Sequence, residues 1–261
     1  MKKFAVIGNP IQHSLSPLLH NSIFEQLGIN ASYEKVKLLP ADLENFVTRN
    51  EFDGYNVTIP HKNSISSYLD HITNDAHNIT AVNCVHNNKG YNTDWIGFIH
   101  ALNQNQIEVK DKPCLIIGSG GAAYAIAYAL IKCEVSSISI KNRNKKNKIK
   151  LEEWVNNRFI QKTDLDPEII INCTPLGMHP LEQKIPSNLK VNKTNIVIDT
   201  IYNPLKTKWL KHCEENGAKI INGLEMLIYQ GIASLNIWLN KDFFKELDIK
   251  TIKNRLEKEI C

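Results

Sequence analysis

Gly118-Ser119-Gly120-Gly121 follows an apolar run and opens an alanine-rich one, and a basic tract, Lys141-Asn142-Arg143-Asn144-Lys145-Lys146-Asn147-Lys148, stands further along the chain. A tight turn after a strand lets backbone N–H groups approach a pyrophosphate, and the helix that follows directs its positive end at the charge. Gly118, Gly120 and Ala123 fill the G-x-G-x-x-G/A positions of such a site, with Ser119, Gly121 and Ala122 completing the loop. At the end of the next strand, about 20 residues on, a site for an unphosphorylated ribose wants Asp or Glu. Here that stretch reads Lys141-Asn142-Arg143. A carboxylate there would repel a 2′-phosphate, whereas Arg143 offers it a fork of charged donors and Asn142 or Asn144 adds neutral ones. The cofactor expected from these residues is NADP(H). Lys145, Lys146 and Lys148 raise the local positive potential, although a solvated lysine-rich loop accounts for the distal ones equally well.

The elements that must position this loop alternate in kind. Phe4 to Ile7 is a strand candidate closed by Gly8-Asn9-Pro10, and Ser16-Pro17 opens a helix that stops at Gly28. Ala31 to Val36 and Gly54 to Ile59 read as strands with a helix around Leu43, Phe46 and Val47 between them. A helix near His61 to Leu69 follows, then strand from Ala81 to Val85 and at Gly90-Tyr91. Cys114 to Ile117, Val135 to Ile140, Ile169 to Asn172 and Asn195 to Thr200 are nearly continuous β-rich runs, the pattern of strands covered on both faces in a parallel sheet. A helix through Trp209 and Cys213 ends at Gly217, a strand spans Lys219 to Ile221, and a long helix then carries Leu224 to Leu239. The expected fold is therefore α/β with two domains: an N-terminal α/β domain of residues 1–100 plus 232–261, and a Rossmann-like, parallel-sheet nucleotide domain of residues 101–231 inserted into it.

The formal charge, 31 Lys and Arg against 27 Asp and Glu, is a modest +4, and its densest run sits beside a glycine loop rather than along an aromatic-studded face. Nucleic-acid binding is not expected. Six cysteines without a CxxC pair indicate neither zinc framework nor disulfide scaffold, and three in apolar surroundings suit buried thiols in a reducing compartment. Asn9, Pro10, Gln12 and His13 cut short an apolar start, and no run approaches the roughly 20 apolar residues of a membrane span. A cytoplasmic enzyme acting on a small molecule, monomeric or homodimeric and without a metal, is the expectation.

The chain resembles the shikimate dehydrogenases. The resemblance is carried by Gly8 to Pro17 with His20-Asn21, Asn56 to Lys62, Ala81-Val82-Asn83, Asn92-Thr93-Asp94, Gly118 to Ala123, Asn142-Arg143, Asn172 to Met178, Asp199 to Pro204, and Gly223 to Leu227 with Gln230, all in family order. It implies NADP-dependent interconversion of 3-dehydroshikimate and shikimate, a step toward aromatic amino acids, with substrate and nicotinamide meeting between two domains. It also implies that Ser14 and Ser16 hold the substrate carboxylate, that Thr58, Asn83, Asp94 and Gln230 contact the ring and its hydroxyls, and that Tyr202 faces them. Lys62 matches the catalytic lysine, with Asp94 beside it, and Thr174, Met178 and Gly223 join the cofactor-binding set. From the residues alone His13 and His61 are the more tempting acid–base groups, because imidazole titrates near neutrality.

Hydride addition to a ketone creates alkoxide character on oxygen, so a donor must supply a proton or stabilise the charge, and an ammonium does both. Asp94 could orient that ammonium, or could simply cap the helix that begins there. Gln230 interrupts the apolar face of a long helix, and Cys173 reads as a buried strand thiol. Departures from the family pattern are Tyr124 where Arg is common, Asn144 for Thr, Asn147 at a basic position, Cys84 for Thr and Thr80 for Gly. A quinate/shikimate dehydrogenase using NAD or NADP is the alternative within the family, and a non-enzymatic dinucleotide-binding regulator the alternative outside it.

Overall fold

The computed structural model describes residues 1–49, 51–161 and 166–260, and Cys261 lies outside them. The chain divides into two compact units, Met1–Gly97 with Leu227–Glu259, and Phe98–Met226. The changeovers fall inside two helices, between Gly97 and Phe98 and between Met226 and Leu227.

The first unit is built from β1 (Lys2–Gly8), α1 (Ser16–Leu27), β2 (Ala31–Lys37), α2 (Leu43–Arg49), β3 (Gly54–Val57), β4 (His71–Ile72), α3 (Asn74–Ile79), β5 (Cys84–His86), β6 (Lys89–Tyr91) and the start of α4 (Asp94–Gln104). Its six-stranded sheet has the order β2-β1-β3-β5-β6-β4. Strand β1 runs parallel to both β2 and β3, whereas β5 is antiparallel to β3 and β6. Phe4-Ala5-Val6-Ile7 is apolar throughout because β1 is central and buried along that stretch. Pro17 fits the first turn of α1, where an N–H would have no partner, and Gly28 closes the helix. Only one single-turn 3-10 segment, Ile65–Tyr68, forms where a helix over His61 to Leu69 was expected, because His61 to Ser64 is spent on turns. The strand expected from Ala81 starts later, at Cys84.

Thr80 closes α3 in the left-handed region, at φ 61°. A β-branched residue pays steric strain there that glycine does not, which is the physical content of the Thr-for-Gly departure. Its carbonyl still accepts a hydrogen bond from Asn63 Nδ2. Thr80→Gly should therefore stabilise the protein by about 1 kcal/mol, read as a higher urea midpoint with unchanged slope; a lower midpoint would show that the threonine side chain outweighs the strain.

The second unit carries β7 (Pro113–Ile117), α5 (Gly121–Lys132), β8 (Ser137–Lys141), α6 (Lys145–Asn156), β9 (Ile169–Asn172), β10 (Ile196–Asp199), α7 (Lys208–Glu215), β11 (Lys219–Ile221) and the start of α8 (Leu224–Leu239). The rest of α8 and α9 (Ile249–Ile260) return to the first unit, except for the last residue of α9. The order β11-β10-β9-β7-β8 is parallel at every pair. β7 and β9 are buried along their whole length, while the edge strand β8 alternates between buried and exposed. Order reverses between β7 and β9, and in such sheets ligands bind beyond the carboxyl ends of the strands at that point.

Candidate active site

In the first unit the loops after β1 and β3 leave the same edge of the sheet. Thr58 N–H bonds to Ile7 O at 2.9 Å and Asn9 N–H to Ile59 O at 2.9 Å, so Ser14 and Ser16 come from one loop while Thr58 and Lys62 come from the other. The Lys62 carbonyl accepts from Val82 N–H at 2.8 Å, and the neighbouring His61 imidazole, fully buried, is tied to the Leu38 carbonyl at 2.8 Å. That buried ring is an anchor for the turn, which accounts for the histidine without acid–base work. Lys62 Nζ lies 2.5 Å from Asp94 Oδ2, and the other carboxylate oxygen accepts from Asn83 Nδ2 at 2.8 Å. Both oxygens of Asp94 are thus engaged by side chains, and the positive end of α4 adds to their stabilisation. The lysine side chain keeps 19 % exposure against 8 % for Asp94, so the ammonium is the member of the pair open to a ligand.

Asn83 is the hub of this cluster. Its Nδ2 faces Thr93 Oγ1 at 2.9 Å, Asp94 Oδ1 at 2.8 Å and Gln230 Oε1 at 3.3 Å, and its Oδ1 accepts from Thr93 N–H at 2.6 Å. An amide nitrogen has two hydrogens for these three acceptors. The longest contact goes short, which leaves Gln230 Oε1 with spare acceptor capacity while its Nε2 donates to Leu227 O. Ser14 Oγ donates to Ser16 Oγ at 3.2 Å, and Ser16 is buried at the head of α1. Lys62, Asp94, Asn83 and Gln230 are joined by these bonds, Ser14 and Ser16 pair with each other, and Thr58 stands half-buried at the end of β3. Tyr202 lies in the second unit, half-buried beyond β10.

In the second unit Gly118 has φ 114°, and a Cβ there would press on the Cys173 backbone at 3.0 Å, so the turn after β7 demands glycine. Its N–H bonds to Lys141 O, which ties the glycine loop to the basic tract. Around Gly120 a Cβ would meet nothing within 4 Å, and no side chain caps α5. Open space above an uncapped helix N-terminus fits a dinucleotide pyrophosphate. Asn142 Nδ2 donates to Asn144 O, and Asn144 Oδ1 caps α6 by accepting from Asn147 N–H, so that oxygen is already committed. Arg143 is exposed, and Lys148 pairs with Glu152 as an ordinary surface ion pair.

At the ends of β9 and β10, Asn172 donates to Asp199, whose other carboxylate oxygen accepts from Thr207 at the cap of α7. Burial pushes the Asp199 carboxyl up to about 6, against these hydrogen bonds and that from Ile201 N–H. Thr174 folds back onto Asn172 Oδ1, Met178 is exposed on the same loop, and Gly223 N–H bonds to Ile201 O. Cys173 falls one residue beyond β9 rather than within it, half-buried, and burial raises its thiol pKa. It is no activated nucleophile.

Residues 6–85 match the family described as the shikimate dehydrogenase substrate binding domain. A shikimate dehydrogenase (NADP(+)) of Caldanaerobacter subterraneus subsp. tengcongensis is 40 % identical over 273 residues, spanning 98 % of both chains. The chain belongs to the shikimate dehydrogenase family. Among solved members, a shikimate dehydrogenase in complex with NADP+ superposes with a TM-score of 0.89 at 36 % identity, covering 100 % of this chain and 96 % of the other. A shikimate 5-dehydrogenase from Listeria monocytogenes in complex with shikimate and NAD gives 0.88 at 31 % identity, covering 98 % and 96 %. As in the family, the fold pairs a substrate-binding domain with a Rossmann-like parallel-sheet NADP domain, and the chain is an NADP-dependent oxidoreductase. No helix among the described residues is long and apolar enough to cross a membrane.

Four residues bonded behind the Asn83 cluster do not stand out as site residues in the sequence: Thr93, which contacts Asn83, Ser234 beside Thr93, Asn56 beside Ser234, and Tyr33 beside Asn56. Two signals were available. Asn56 interrupts an apolar strand, and Ser234 lies one helical turn after Gln230 on an apolar face, each a position that is costly without a partner.

Proposed function

We propose that this chain catalyses the reversible NADPH-dependent reduction of 3-dehydroshikimate to shikimate, with Lys62 as general acid and Asp94 as the group that orients it. The observation that carries the reading is the 2.5 Å ion pair between Lys62 and Asp94, held from behind by Asn83 and still open on the lysine side. The Met1–Gly97 and Leu227–Glu259 unit binds substrate, and the Phe98–Met226 unit binds the nucleotide. Bound NADPH supplies the hydride.

Every other part of the chemistry falls to side chains. Ser14 and Ser16 donate hydroxyl hydrogens to the substrate carboxylate, while Thr58, Asn83, Asp94 and Gln230 address the ring hydroxyls and the reacting face. As the carbonyl oxygen gains negative charge, the Lys62 ammonium donates a proton to it. In the oxidation the neutral amine takes the proton from the alcohol, so each direction needs the opposite protonation state of the same nitrogen. Gly118 to Ala123 with Thr174, Met178 and Gly223 cradle the dinucleotide, and Asn142, Arg143 and the free edge of Asn144 face its 2′-phosphate.

Absorbance at the reduced-nicotinamide band tests the reading with shikimate or quinate combined with NADP+ or NAD+. The expected order places shikimate with NADP+ well ahead of the other three combinations. Turnover of quinate at an equal rate would widen the substrate class, and no turnover in any combination would overturn the proposed activity.

A further inference from the structure

Behind the Lys62–Asp94 pair lies a second polar layer in the same unit, and its bonds converge on the Ser234 hydroxyl. Thr93, Ser234 and Asn56 are buried, the first two completely. Ser234 Oγ donates to Gln230 O at 3.0 Å, so the Thr93 hydroxyl, 3.1 Å away, gives its hydrogen to Ser234. Thr93 Oγ1 is then free to accept from Asn83 Nδ2, whose remaining hydrogen goes to Asp94. Asn56 Nδ2 donates to Ser234 Oγ at 2.8 Å and to the Asn83 carbonyl at 3.1 Å, and its Oδ1 accepts from the Tyr33 hydroxyl at 2.8 Å. Tyr33 is fastened in turn to α1, the helix that Ser16 opens, by the Asn21 amide, which donates to Tyr33 O and accepts from Tyr33 N–H at 3.0 Å each. With these assignments every donor among Thr93, Ser234, the Asn56 amide and the Tyr33 hydroxyl has an acceptor.

These bonds link α1, the helix headed by Ser16, to Asp94 through Tyr33, Asn56, Ser234, Thr93 and Asn83. We propose that Thr93 is a positioning residue: through Asn83 on one side and Ser234, Asn56 and Tyr33 on the other, it holds the Lys62–Asp94 pair in register with the paired serine hydroxyls. The inference rests on the reaction proposed above and deepens it. A substrate anchored at its carboxylate presents its ketone to Lys62 only if the two ends of the site keep a fixed separation. A loose Asn83 amide lets the Asp94 carboxylate, and the ammonium with it, drift from the reacting oxygen. Misplacement on the order of 1 Å costs up to about a hundredfold in rate.

Thr93→Val keeps the shape and removes the hydroxyl, whereas Thr93→Ser keeps the hydroxyl and removes a methyl. In the full-length protein Thr93→Val should lower kcat with 3-dehydroshikimate about tenfold to a hundredfold, with the NADPH KM within about twofold of the parent. Thr93→Ser should restore most of the rate. Equal impairment of both variants would assign the effect to packing and overturn the proposal, as would a Thr93→Val kcat equal to that of the parent. If Thr93→Val does not fold, Ser234→Ala breaks the next link and should lower kcat in the same selective way; an unchanged kcat there overturns the proposal. A parent protein inactive on 3-dehydroshikimate would strike the assigned reaction instead. Acylation of the Lys62 amine by a water-soluble active ester, followed by mass spectrometry, then still scores the positioning: it should be faster in Thr93→Val than in the parent, and equal rates overturn it.

Discussion

Lys62→Ala should lower kcat for 3-dehydroshikimate reduction about a thousandfold, within the span usual for a positioned general acid, while the protein stays folded and the NADPH KM moves little. Folding survives because the contacts that shape this turn belong to its neighbours and to backbone. His61 still holds Leu38 O, and the residue-62 carbonyl still accepts from Val82 N–H. Asp94 loses its cation but keeps Asn83 and the positive end of α4, so it is left neither buried alone nor without a donor. What is lost is the proton source at the developing alkoxide. Asp94→Asn should lower kcat as well, because an amide has one acceptor oxygen for the two donors that face Asp94, Lys62 Nζ and Asn83 Nδ2, so its NH2 group is set against one of them and the ammonium loses its place. Added methylammonium should recover part of the Lys62→Ala rate and none of the Asp94→Asn rate. Activity within threefold of the parent would remove Lys62 from the mechanism.

Helix and strand kinds were legible wherever a segment is governed by its own chain. The stop at Gly28, the closure of α7 near Gly217 and the buried runs of β7, β9 and β10 follow from turn chemistry and unbroken apolarity. Short elements were not legible. The stretch from His61 to Leu69 has helical composition, yet its first residues are held by a buried imidazole and by a carbonyl pairing to Val82, both long-range bonds invisible to periodicity. In the site the reach of the sequence was similar. Lysine and aspartate separated by 32 positions carry no spacing signal, and only the family pattern joined them before the structure placed them 2.5 Å apart. Asn83 reads as a ligand contact, but its bonds show that most of its amide is spent on Thr93 and Asp94. Partners of that kind become visible only when hydrogen atoms are counted in place.

Arg143→Ala should raise the NADPH KM about thirtyfold, corresponding to loss of one charged hydrogen bond of about 2 kcal/mol, and leave the NADH KM within about twofold. Three features concentrate the phosphate's recognition on this residue. Arg143 follows directly on β8 and the Asn142 that braces its loop, it is exposed, and it has no carboxylate partner among the described residues. The first turn of α6 places Lys145 and Lys146 at the positive end of a helix with no acidic residue nearby, an arrangement that is unfavourable until an anion sits there. Tyr124, in the position where the family commonly has arginine, turns its ring edge-on to Trp154 at 5.5 Å, and Arg158 lies over that same indole at 4.5 Å. Aromatic packing thus fills the place of a second guanidinium, so deletion of the remaining one should be felt in full. Raising ionic strength should shrink the NADPH effect of the mutation, since the contact is exposed and screened. An equal rise in both KM values would move Arg143 onto the adenosine shared by the two cofactors and leave the preference for the phosphorylated one to the lysines of α6.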